Sequence, residues 1–534
     1  MENDIMTKYL LGRLLKGVIS VILVVIIVMF LIYTVMKRDL IFRNDPLYHG
    51  KMMNNNKEVY KYEKWEDYGY LDYVAFADWL QEELKNGKIT EEEYGNAVVI
   101  GDKAEKDSEI TSKYVKNFIA KYEAEGYTIV RLDAVYKPGT QKYKDGGNPY
   151  LFAHKDISLL KRGWEYFTGF ISFDNINKVE DDIGERGLTF TWHDPVYGGE
   201  KFSPAVIGNG TQHKYLFYVD SNFPYVHQNI AKIKLGMSYS VNKGIDVFDT
   251  MTQSQGSQKM SMVTYPTGLT EESADNLHQA TYSPGALESG DPIFNARYTD
   301  NYVANANYNH KTGMSKMGYS FVIGIISVIM AYVIALPLGV LMAKKKDKLI
   351  DNLGTLYIIF IIAVPSLAYI FMFKAIGGRF GLPTTFDVVK PTWLMYILPI
   401  ISLALPSIAN LMKWLRRYMI DQMNSDYVKF ARAGGLSEGE IFSKHILKNA
   451  AIPIIHGIPG SVLGSLVGAI ITERVYVVPG AGNLLTNAIT HYDNGVIVGV
   501  TLFYAVLSVV SIILGDILMS MIDPRISFTT KKGR

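Results

Sequence analysis

The side chains that could carry catalysis are scattered along this chain rather than gathered in a known motif. No H-E-x-x-H zinc motif, G-x-S-x-G nucleophile elbow or G-x-x-x-x-G-K-[ST] phosphate loop is present. The acidic runs at 91–93 and 180–182 are typical of solvated surfaces, although a glycosidase-type carboxylate pair is left open. The chain has no cysteine, which excludes disulfides, thiolate metal sites and cysteine nucleophiles. We therefore predict no catalytic residue, no metal site and no cofactor in this chain.

One segment stands out for recognition rather than catalysis. It reads YVKFARAGGLSEGEIFSKHILKN at 427–449 and is basic, although the chain on both sides is strongly apolar. Apolar residues at three- and four-residue spacing predict a helix over 416–433. The residues of this stripe are Met423, Tyr427, Phe430 and Ala431. Gly434 and Gly435 follow, and a glycine can adopt the positive φ at which helices commonly end.

A second helix is predicted after the glycines. Ser437, with Glu440 three residues later, forms a capping box, and the helix should run from Glu438 to about Asn449. A DNA-binding helix-turn-helix has a similar layout, but the flanking apolar runs would hold this unit against lipid headgroups. A plain solvated loop has no need of an apolar stripe. We therefore expect the unit to dock into a groove of another protein.

Six apolar runs are candidates to cross a membrane, because a span needs about 20 apolar residues. They are Gly17–Met36, Met317–Met342, Thr355–Phe373, Thr392–Met412, Ala451–Thr472 and Gly495–Met519. The first run is longer than the apolar part of a secretory signal, and no small-x-small cleavage site follows it before Lys37. We predict an uncleaved anchor and six transmembrane helices. Prolines should kink them at Pro337, Pro365, Pro399, Pro406, Pro453 and Pro459.

Basic residues divide the connecting segments into two sets. Lysine and arginine are frequent at 344–348, 413–448 and 525–534, whereas the opposite loops hold only Lys374, Arg379, Lys390 and Arg474. By the positive-inside rule the first set is cytoplasmic, as are both termini. This gives a cytoplasmic N-terminus and first span at 1–36, an extracellular domain at 37–316 (the outer domain), and a transmembrane core at 317–534. The core includes a cytoplasmic segment at about 413–450 (the coupling loop).

The outer domain has the pattern of a folded α+β domain. Helices are predicted at Asp72–Leu84 and Ser108–Ala124, and strands at Tyr127–Val135, Leu188–Trp192 and Tyr215–Val219. The segment 253–292 is rich in Ser, Thr, Gly and Gln and is expected to be irregular. Of the 36 tyrosines in the chain, those of this domain suit either a packed core or a peptide-contacting surface.

The coupling loop resembles that of peptide and nickel permeases among the ATP-binding-cassette importers. In that family it reads A-R-A-x-G-L-S, then H-x-L-[RK]-N and a proline. The matching residues are Ala431, Arg432, Ala433, Gly435, Leu436, Ser437, His445, Leu447, Lys448, Asn449 and Pro453. The wider superfamily has E-A-A-x-x-x-G at this position, and this chain has Lys429 and Phe430 in place of the first two residues of that motif. The peptide branch shares this departure, so the resemblance is to that branch in particular.

Four further stretches carry the same resemblance. ERVYVVPGAGNLL at 473–485 is similar to the family's outer scoop loop, with Glu473, Pro479, Gly480 and Gly482 in place. Asp523-Pro524-Arg525 matches the terminal D-P-R, and LGMSY at 235–239 with Val247 resembles the segment before the second span. The outer domain, especially His213–Tyr239, resembles that of streptococcal oligopeptide permeases.

The resemblance implies a type I importer permease with six transmembrane helices and an inserted α+β extracellular domain. It implies a second homologous permease subunit, two cytoplasmic ATPase subunits that hold the ATP and Mg, an extracellular lipid-anchored peptide-binding protein, and a peptide substrate. The chain would lie in the plasma membrane of a Gram-positive bacterium, in contact with lipid and not with nucleic acid. The residues that would couple to the ATPase are Tyr427, Ala431, Arg432, Ala433, Gly435, Leu436, Ser437, Glu438, His445 and Asn449.

An alternative class is a mechanotransmitting or receptor-type membrane protein with an extracellular ligand-binding domain. A mechanotransmitting permease would have four spans and would lack the coupling loop, and a receptor would not require five further spans with prolines. Asp516 is the one acid within a predicted span. It is either functional or paired structurally with a basic residue near the cytoplasmic end.

Overall fold

A computed structural model describes residues 2–51, 54–98, 109–219, 226–241, 244–305 and 308–522. The terminal Asp523-Pro524-Arg525 motif and part of the sequence FPYVHQN at 223–229 lie outside these ranges.

Five of the described helices are long and apolar enough to cross a membrane. The first, α1, spans Glu2–Phe30 and continues as a π-helical turn at Leu31–Val35. The other four are Lys316–Lys344 (α9), Leu394–Met423 (α12), Ile458–Tyr476 (α16) and Asn494–Ile522 (α18). Helices are numbered in chain order, shorter ones included. The helices run continuously through Pro337, Pro399 and Pro406.

The apolar run at 355–373 is not one straight span. It is divided between α10 (Leu349–Ala363) and α11 (Ser366–Arg379), which meet at an angle of 109°. Pro365 has no amide hydrogen to donate and disfavours helical dihedrals at Val364, whose ψ of 127° is extended. The expected kink is therefore a complete break. The described residues therefore contain five helices that are long and apolar enough to span a membrane, or six if the bent pair counts as one span.

The outer domain begins with a three-stranded antiparallel sheet in the order β1-β3-β2. The elements of this part are α2 (Asn54–Asp67), β1 (Leu71–Ala75), α3 (Phe76–Lys85), α4 (Glu91–Ala97), α5 (Glu109–Ala124), β2 (Thr128–Leu132) and β3 (Tyr150–Asp156). The core beneath the sheet includes Phe76, Leu80 and Phe118, which are almost fully buried.

Predictions for this part are confirmed at α5 and β2 and corrected at 72–84. The predicted single helix there is a strand followed by a helix, because Leu71–Ala75 pairs along its whole length with β3. The apolar residues of so short a segment fit the spacing of a helix and that of a strand equally well. The pairing with β3 makes Leu71–Ala75 a strand.

The second part of the outer domain holds a four-stranded antiparallel sheet in the order β5-β6-β7-β8. Its strands are β5 (Gly187–Thr191), β6 (Ala205–Asn209), β7 (Tyr215–Val219) and β8 (Val226–Gln228). It is preceded by helix α6 (Leu159–Thr168) and strand β4 (Ile171–Phe173), which pairs with β9 (Ala231–Ile233). The strands predicted at 188–192 and 215–219 are confirmed as β5 and β7.

Short elements complete the outer domain. They are β10 (Met237–Ser238), β11 (Ile245–Asp246), α7 (Val247–Thr252), β12 (Ser261–Thr264), β13 (Thr270–Ser273), β14 (Thr281–Tyr282), α8 (Pro292–Arg297) and β15 (Tyr302–Val303). The segment 253–292, predicted to be irregular, therefore contains the β12–β13 hairpin, which joins its strands in full antiparallel register.

The transmembrane core is built around the packing of α9 against α12. Ala331, Ala335 and Gly339 of α9 are buried, and a Cβ at Gly339 would approach Leu415 Cδ2 to 3.1 Å. Small side chains of this kind let two helix backbones approach closely within a membrane. The remaining core helices are α13 (Asp426–Ala433), α14 (Glu438–Glu440), α15 (Lys448–His456) and α17 (Ala481–His491).

Candidate functional site

The coupling loop connects α12 to α16 and lies against the C-terminal end of α9. The Lys344 ammonium, at the end of α9, lies 5.7 Å from the centre of the Phe442 ring in this loop. Helix α12 ends at Met423, and α13 begins after Asn424 and Ser425. The helix predicted over 416–433 is therefore two helices. Ser425, extended at ψ 153°, separates them, and its hydroxyl donates to the Gln422 carbonyl at 2.6 Å.

The glycine turn and the capping box are confirmed. Gly435 has φ +83°, the left-handed region that a side chain disfavours. The Ser437 oxygen accepts from the Glu440 amide, and the Glu440 carboxylate accepts from the Ser437 amide in return. The second helix is longer than predicted, since α14, a π-helical segment at 441–447 and α15 follow without interruption to His456, through Pro453.

An ion pair bridges the turn. Arg432 donates to both carboxylate oxygens of Glu438, at 2.5 and 3.1 Å. This contact holds the pKa of Glu438 below its usual value and raises the pKa of Arg432. Because both side chains are largely exposed, the pair is expected to add little stability of its own. It does place a cation and an anion side by side on the surface of the loop.

The predicted apolar stripe divides between two directions. Met423, Tyr427 and Ala431 pack against the buried core cluster of the transmembrane part, as does Leu436 after the glycine turn. Phe430 is 76% exposed instead, although the helical spacing placed it in the same stripe. Ala433, Gly435 and Ser437 are exposed beside it, whereas His445 and Asn449 are half-buried. The loop therefore presents one large apolar side chain and the Arg432–Glu438 pair on its outward face.

The scoop loop is organised by a buried carboxylate. Glu473, near the end of α16, is fully buried and accepts from the Ser320 hydroxyl at 2.6 Å and the Asn483 amide at 2.9 Å. A Cβ on Gly480 would lie 2.2 Å from the Glu473 carboxyl carbon, and one on Gly482 would lie 3.0 Å from its oxygen. The structure thus brings together the predicted residues Glu473, Gly480 and Gly482. Gly480 is small because the carboxylate occupies the space, whereas a Cβ on Gly482 would first meet Ile470, at 2.6 Å.

Two residues of this arrangement were not predicted. Ser320, in α9, accepts from the Ala481 amide at 2.8 Å while it donates to Glu473, so it connects α9 to the scoop loop. Val477 ends α16 with φ +57°, an unusual conformation for a β-branched residue. Spacing in the sequence carries no signal for a contact between residues 153 positions apart.

A groove of about 790 Å³ lies between α9, α11, α12, α15 and α16. Its polar wall consists of hydroxyl and amide side chains, including Tyr332, Tyr369, Ser402, Asn410, Ser461 and Ser465. None of the described residues that line it is charged. Cβ atoms at Gly460 and Gly464 would meet nothing within 4 Å, so this wall is open. The groove can offer hydrogen bonds to a polar molecule without holding it by a fixed charge.

The sequence did not predict these lining residues, because serine and tyrosine are ordinary members of an apolar span. Only their convergence across several helices identifies them. A second contact that the sequence missed is the pair Asp351–Arg416, in which the arginine donates twice to a carboxylate that is 2% exposed, at 2.5 and 2.7 Å. Arg416 lies within α12 and ties that helix to α10.

Asp516 has partners on two helices. The Arg13 guanidinium lies 3.2 Å from its carboxylate, the Tyr9 hydroxyl donates at 3.1 Å, and His456 Nε2 is 3.8 Å away. Of the two interpretations of this intramembrane acid, the geometry favours structural pairing. Among the described residues, no group of three or more His, Asp or Glu side chains is placed to hold a metal ion.

These features define the class of protein. Residues 335–528 match the family described as binding-protein-dependent transport system inner membrane component. The chain is therefore a multi-pass membrane subunit of a transport system, with the type I importer permease fold and an additional α+β region.

Full-length comparison identifies the branch of this class. The chain is 33% identical to the oligopeptide transport system permease protein AmiC of Streptococcus pneumoniae over 535 residues, which covers 99% of this chain and 100% of the relative. It is 33% identical to the oligopeptide transport system permease protein AppB of Bacillus subtilis over 227 residues, 40% of this chain and 71% of that relative. The chain belongs to the family of oligopeptide transport system permease proteins, which confirms the resemblance found in the sequence.

Proposed function

We propose that this chain is one of two permease subunits in an ATP-driven importer of oligopeptides. The observation that carries the proposal is the similarity to AmiC over the full length, outer domain included, because a 99% alignment leaves no domain of this chain out. In this proposal the helices form half of the translocation pathway. A second, homologous permease subunit forms the other half, and the bent pair α10–α11 is the sixth crossing.

The groove supports a peptide as the cargo. Extended peptides are recognised mainly through backbone hydrogen bonds, and the groove offers serine, tyrosine and asparagine side chains without a charge. Such a surface contacts the repeating peptide unit and leaves side chains unselected, which suits a transporter of many sequences. The opposite permease subunit would close the open side of the groove.

The coupling loop supplies the connection to ATP. In the proposed complex its exposed face, with Phe430, Arg432 and Glu438, enters a groove of a cytoplasmic ATPase subunit. ATP and Mg are held by two such subunits. Closure of the ATPase dimer favours one orientation of the transmembrane helices over the other, and the driving force is the difference in binding between the two states. The lysine-rich loops and both termini lie in the cytoplasm of a Gram-positive cell.

We propose that the outer domain is a platform for the lipid-anchored peptide-binding protein. One face of its four-stranded sheet displays Leu188, Phe190 and Trp192, each more than half exposed, with Phe202 stacked on Trp192 at a ring separation of 5.9 Å. Exposed apolar patches of this kind mark protein interaction surfaces. The aromatic groups would hold the binding protein over the entrance of the pathway during peptide transfer.

The proposal is tested by reconstitution of the chain with co-purified partner subunits in lipid vesicles. We expect ATP-dependent uptake of a labelled peptide that requires the loaded binding protein. Phe430→Ala should lower ATPase co-purification, and Phe190→Ala with Trp192→Ala should lower only the stimulation by binding protein. A complex that purifies without ATPase subunits, or that responds to an extracellular ligand without uptake, would favour the receptor-type alternative instead.

A further inference from the structure

Helix α6, at Leu159–Thr168 in the outer domain, has three distinct faces. Leu160 and Trp164 lie one turn apart on one face and are 87% and 73% exposed. Lys161 and Glu165 form a second, polar face, where Lys161 also pairs with Asp72 at 3.0 Å. The third face is turned toward the protein. Two large apolar side chains next to each other on a short exposed helix need a partner.

The third face fixes how the helix is turned about its axis. Arg162 donates to the Gly69 carbonyl at 2.7 Å, and its guanidinium lies 3.7 Å from the centre of the Tyr33 ring. Tyr166 donates to the Leu235 carbonyl at 3.2 Å. With both residues held, α6 cannot rotate to bury Leu160 and Trp164 in its own domain. The apolar face is therefore a permanent feature of the surface.

The position of α6 along the membrane normal follows from its contact with the first span. The helix packs against α1, and its Arg162 lies on Tyr33 in the π-helical turn that ends this span. The apolar run of the span ends at Met36, and Lys37 follows. Tyr33 is thus within one turn of the end of the hydrocarbon-crossing segment. Helix α6 lies at the same level, beside the span rather than above it.

We propose that α6 is an interfacial helix, whose face of Leu160 and Trp164 enters the lipid leaflet on the side of the outer domain. Tryptophan is enriched at the boundary between headgroups and acyl chains, because its ring is apolar and its N–H can still reach water. Amphipathic helices bind this region with their apolar face down and their charges toward water, and the Lys161–Glu165 face is in the right position for that. The occupant of the exposed face is phospholipid, and the inference does not depend on the transported substrate.

The helix would hold the outer domain at a fixed height and tilt. A single span leaves an attached domain free to turn about the span axis, whereas a second contact with the leaflet, placed beside the span, restrains that rotation. The restraint would act directly on the Leu235 segment, which Tyr166 contacts.

Spin labelling tests the proposal without prior removal of cysteines, because the chain contains none. Trp164→Cys, Leu160→Cys and Glu165→Cys are each made in the full-length chain, labelled with a nitroxide and reconstituted in phospholipid nanodiscs. Glu165 is the matched control, since it follows Trp164 directly but belongs to the polar face. The accessibility of each nitroxide to oxygen, which concentrates in lipid, is compared with its accessibility to a water-soluble nickel chelate.

We expect the ratio of oxygen to nickel accessibility to be several-fold higher at positions 160 and 164 than at 165. If all three positions show the same high accessibility to nickel, the face lies in water and the proposal is wrong. If positions 160 and 164 are shielded from both reagents, protein covers the face and the proposal is equally wrong. The position-160 variant decides the matter if Trp164→Cys does not fold.

Discussion

The Ser238 hydroxyl donates to the Asp493 carboxylate at 2.8 Å, although the two residues lie 255 positions apart. The same carboxylate oxygen accepts from the backbone amides of Tyr239, Ser240 and Val241 at 3.0–3.1 Å. Asp493 is fully buried and directly precedes α18. One side chain thus ties the outer domain to the start of the last membrane helix.

We predict that Asp493→Asn loosens this connection. The asparagine side chain has one uncharged oxygen, which accepts more weakly than a carboxylate, and an NH2 group that cannot accept at all. A hydrogen bond to a charged group contributes about 1.5–3 kcal/mol, so the hydroxyl and the backbone amides that now donate to Asp493 would be bound less strongly. The thermal midpoint of the purified protein should fall. Proteolytic cleavage in the segment 238–241, which Asp493 holds, should become faster. Asp145→Asn is the control, because its side chain is 94% exposed. Equal midpoints for the two variants would contradict the prediction.

Local sequence signals predicted the parts of the fold that depend on local chemistry. Length and apolar content located the five long apolar helices, and the Ser437–Glu440 spacing located a helix start correctly. The signals failed where a distant partner decides. The strand at Leu71–Ala75 exists because β3 pairs with it.

The candidate site shows the same division. Gly435 was predicted with the right conformation, because a turn needs only its own backbone. The reason for Gly480 could not be read from the sequence, since it is the carboxylate of Glu473 folded back against the loop. The outward position of Phe430 was missed as well, because helical spacing says which residues share a face but not what covers each of them.

A substitution at Gly435 should uncouple the coupling loop from its partner. Its φ of +83° is disfavoured for any residue with a Cβ, at about 1 kcal/mol or more, while a Cβ there would meet no atom within 4 Å. Gly435→Ala therefore changes the turn and nothing else. We expect the protein to insert normally but to retain less ATPase subunit through purification.

Gly439→Ala is the matched control for that measurement. Gly439 lies four residues further on in α14, has no positive φ and equally open surroundings. Alanine there should leave co-purification of the ATPase unchanged. If both variants keep a full complement of ATPase, the turn is not the contact that the proposal requires.

At the scoop loop, Gly480→Ala should be destabilising by about 1–3 kcal/mol, because overpacking of a buried site forces neighbours to shift. The new Cβ would meet the carboxyl group of Glu473, which is fully buried and has no solvent to move into. The double variant Gly480→Ala with Glu473→Ala removes the clash. In the Glu473→Ala background, Gly480→Ala should therefore lower stability much less than it does in the wild-type protein. A double-mutant cycle on thermal midpoints measures this difference. If Gly480→Ala lowers stability equally in both backgrounds, the clash is not with the Glu473 carboxylate.

The sidedness of the chain is open to direct chemical test. Lys116 and Lys142 are exposed in the outer domain, and Lys344, Lys345 and Lys346 are exposed at the end of α9. An impermeant amine reagent applied to intact cells with permeable walls should modify the first pair only. The lysines at 344–346 should react after lysis. Mass spectrometry of the labelled peptides distinguishes the two patterns, and the reverse order would overturn the proposed orientation.

Asp246 caps α7 beside the segment that Asp493 holds. Its carboxylate accepts from the Phe248 amide at 2.8 Å and the Leu235 amide at 3.3 Å. Burial nevertheless raises the pKa of Asp246 from 3.8 to about 6, with Asp249 as a further negative neighbour. The protonated carboxyl is therefore the form that the fold favours. The stabilisation is complete below pH 4 and is lost as the pH rises through 6.

The size of the effect follows from the shift, since each pKa unit corresponds to about 1.4 kcal/mol. We expect the wild-type protein to lose up to about 3 kcal/mol more than Asp246→Asn between pH 4 and pH 8. Asparagine keeps an oxygen for the Phe248 amide but does not titrate, so other titrating groups cancel in the comparison. The measurement is the difference in thermal midpoint between the two proteins at each pH. A difference that is constant across the range would show that Asp246 is ionised throughout, and that its hydrogen bonds to Leu235 and Phe248 outweigh its burial.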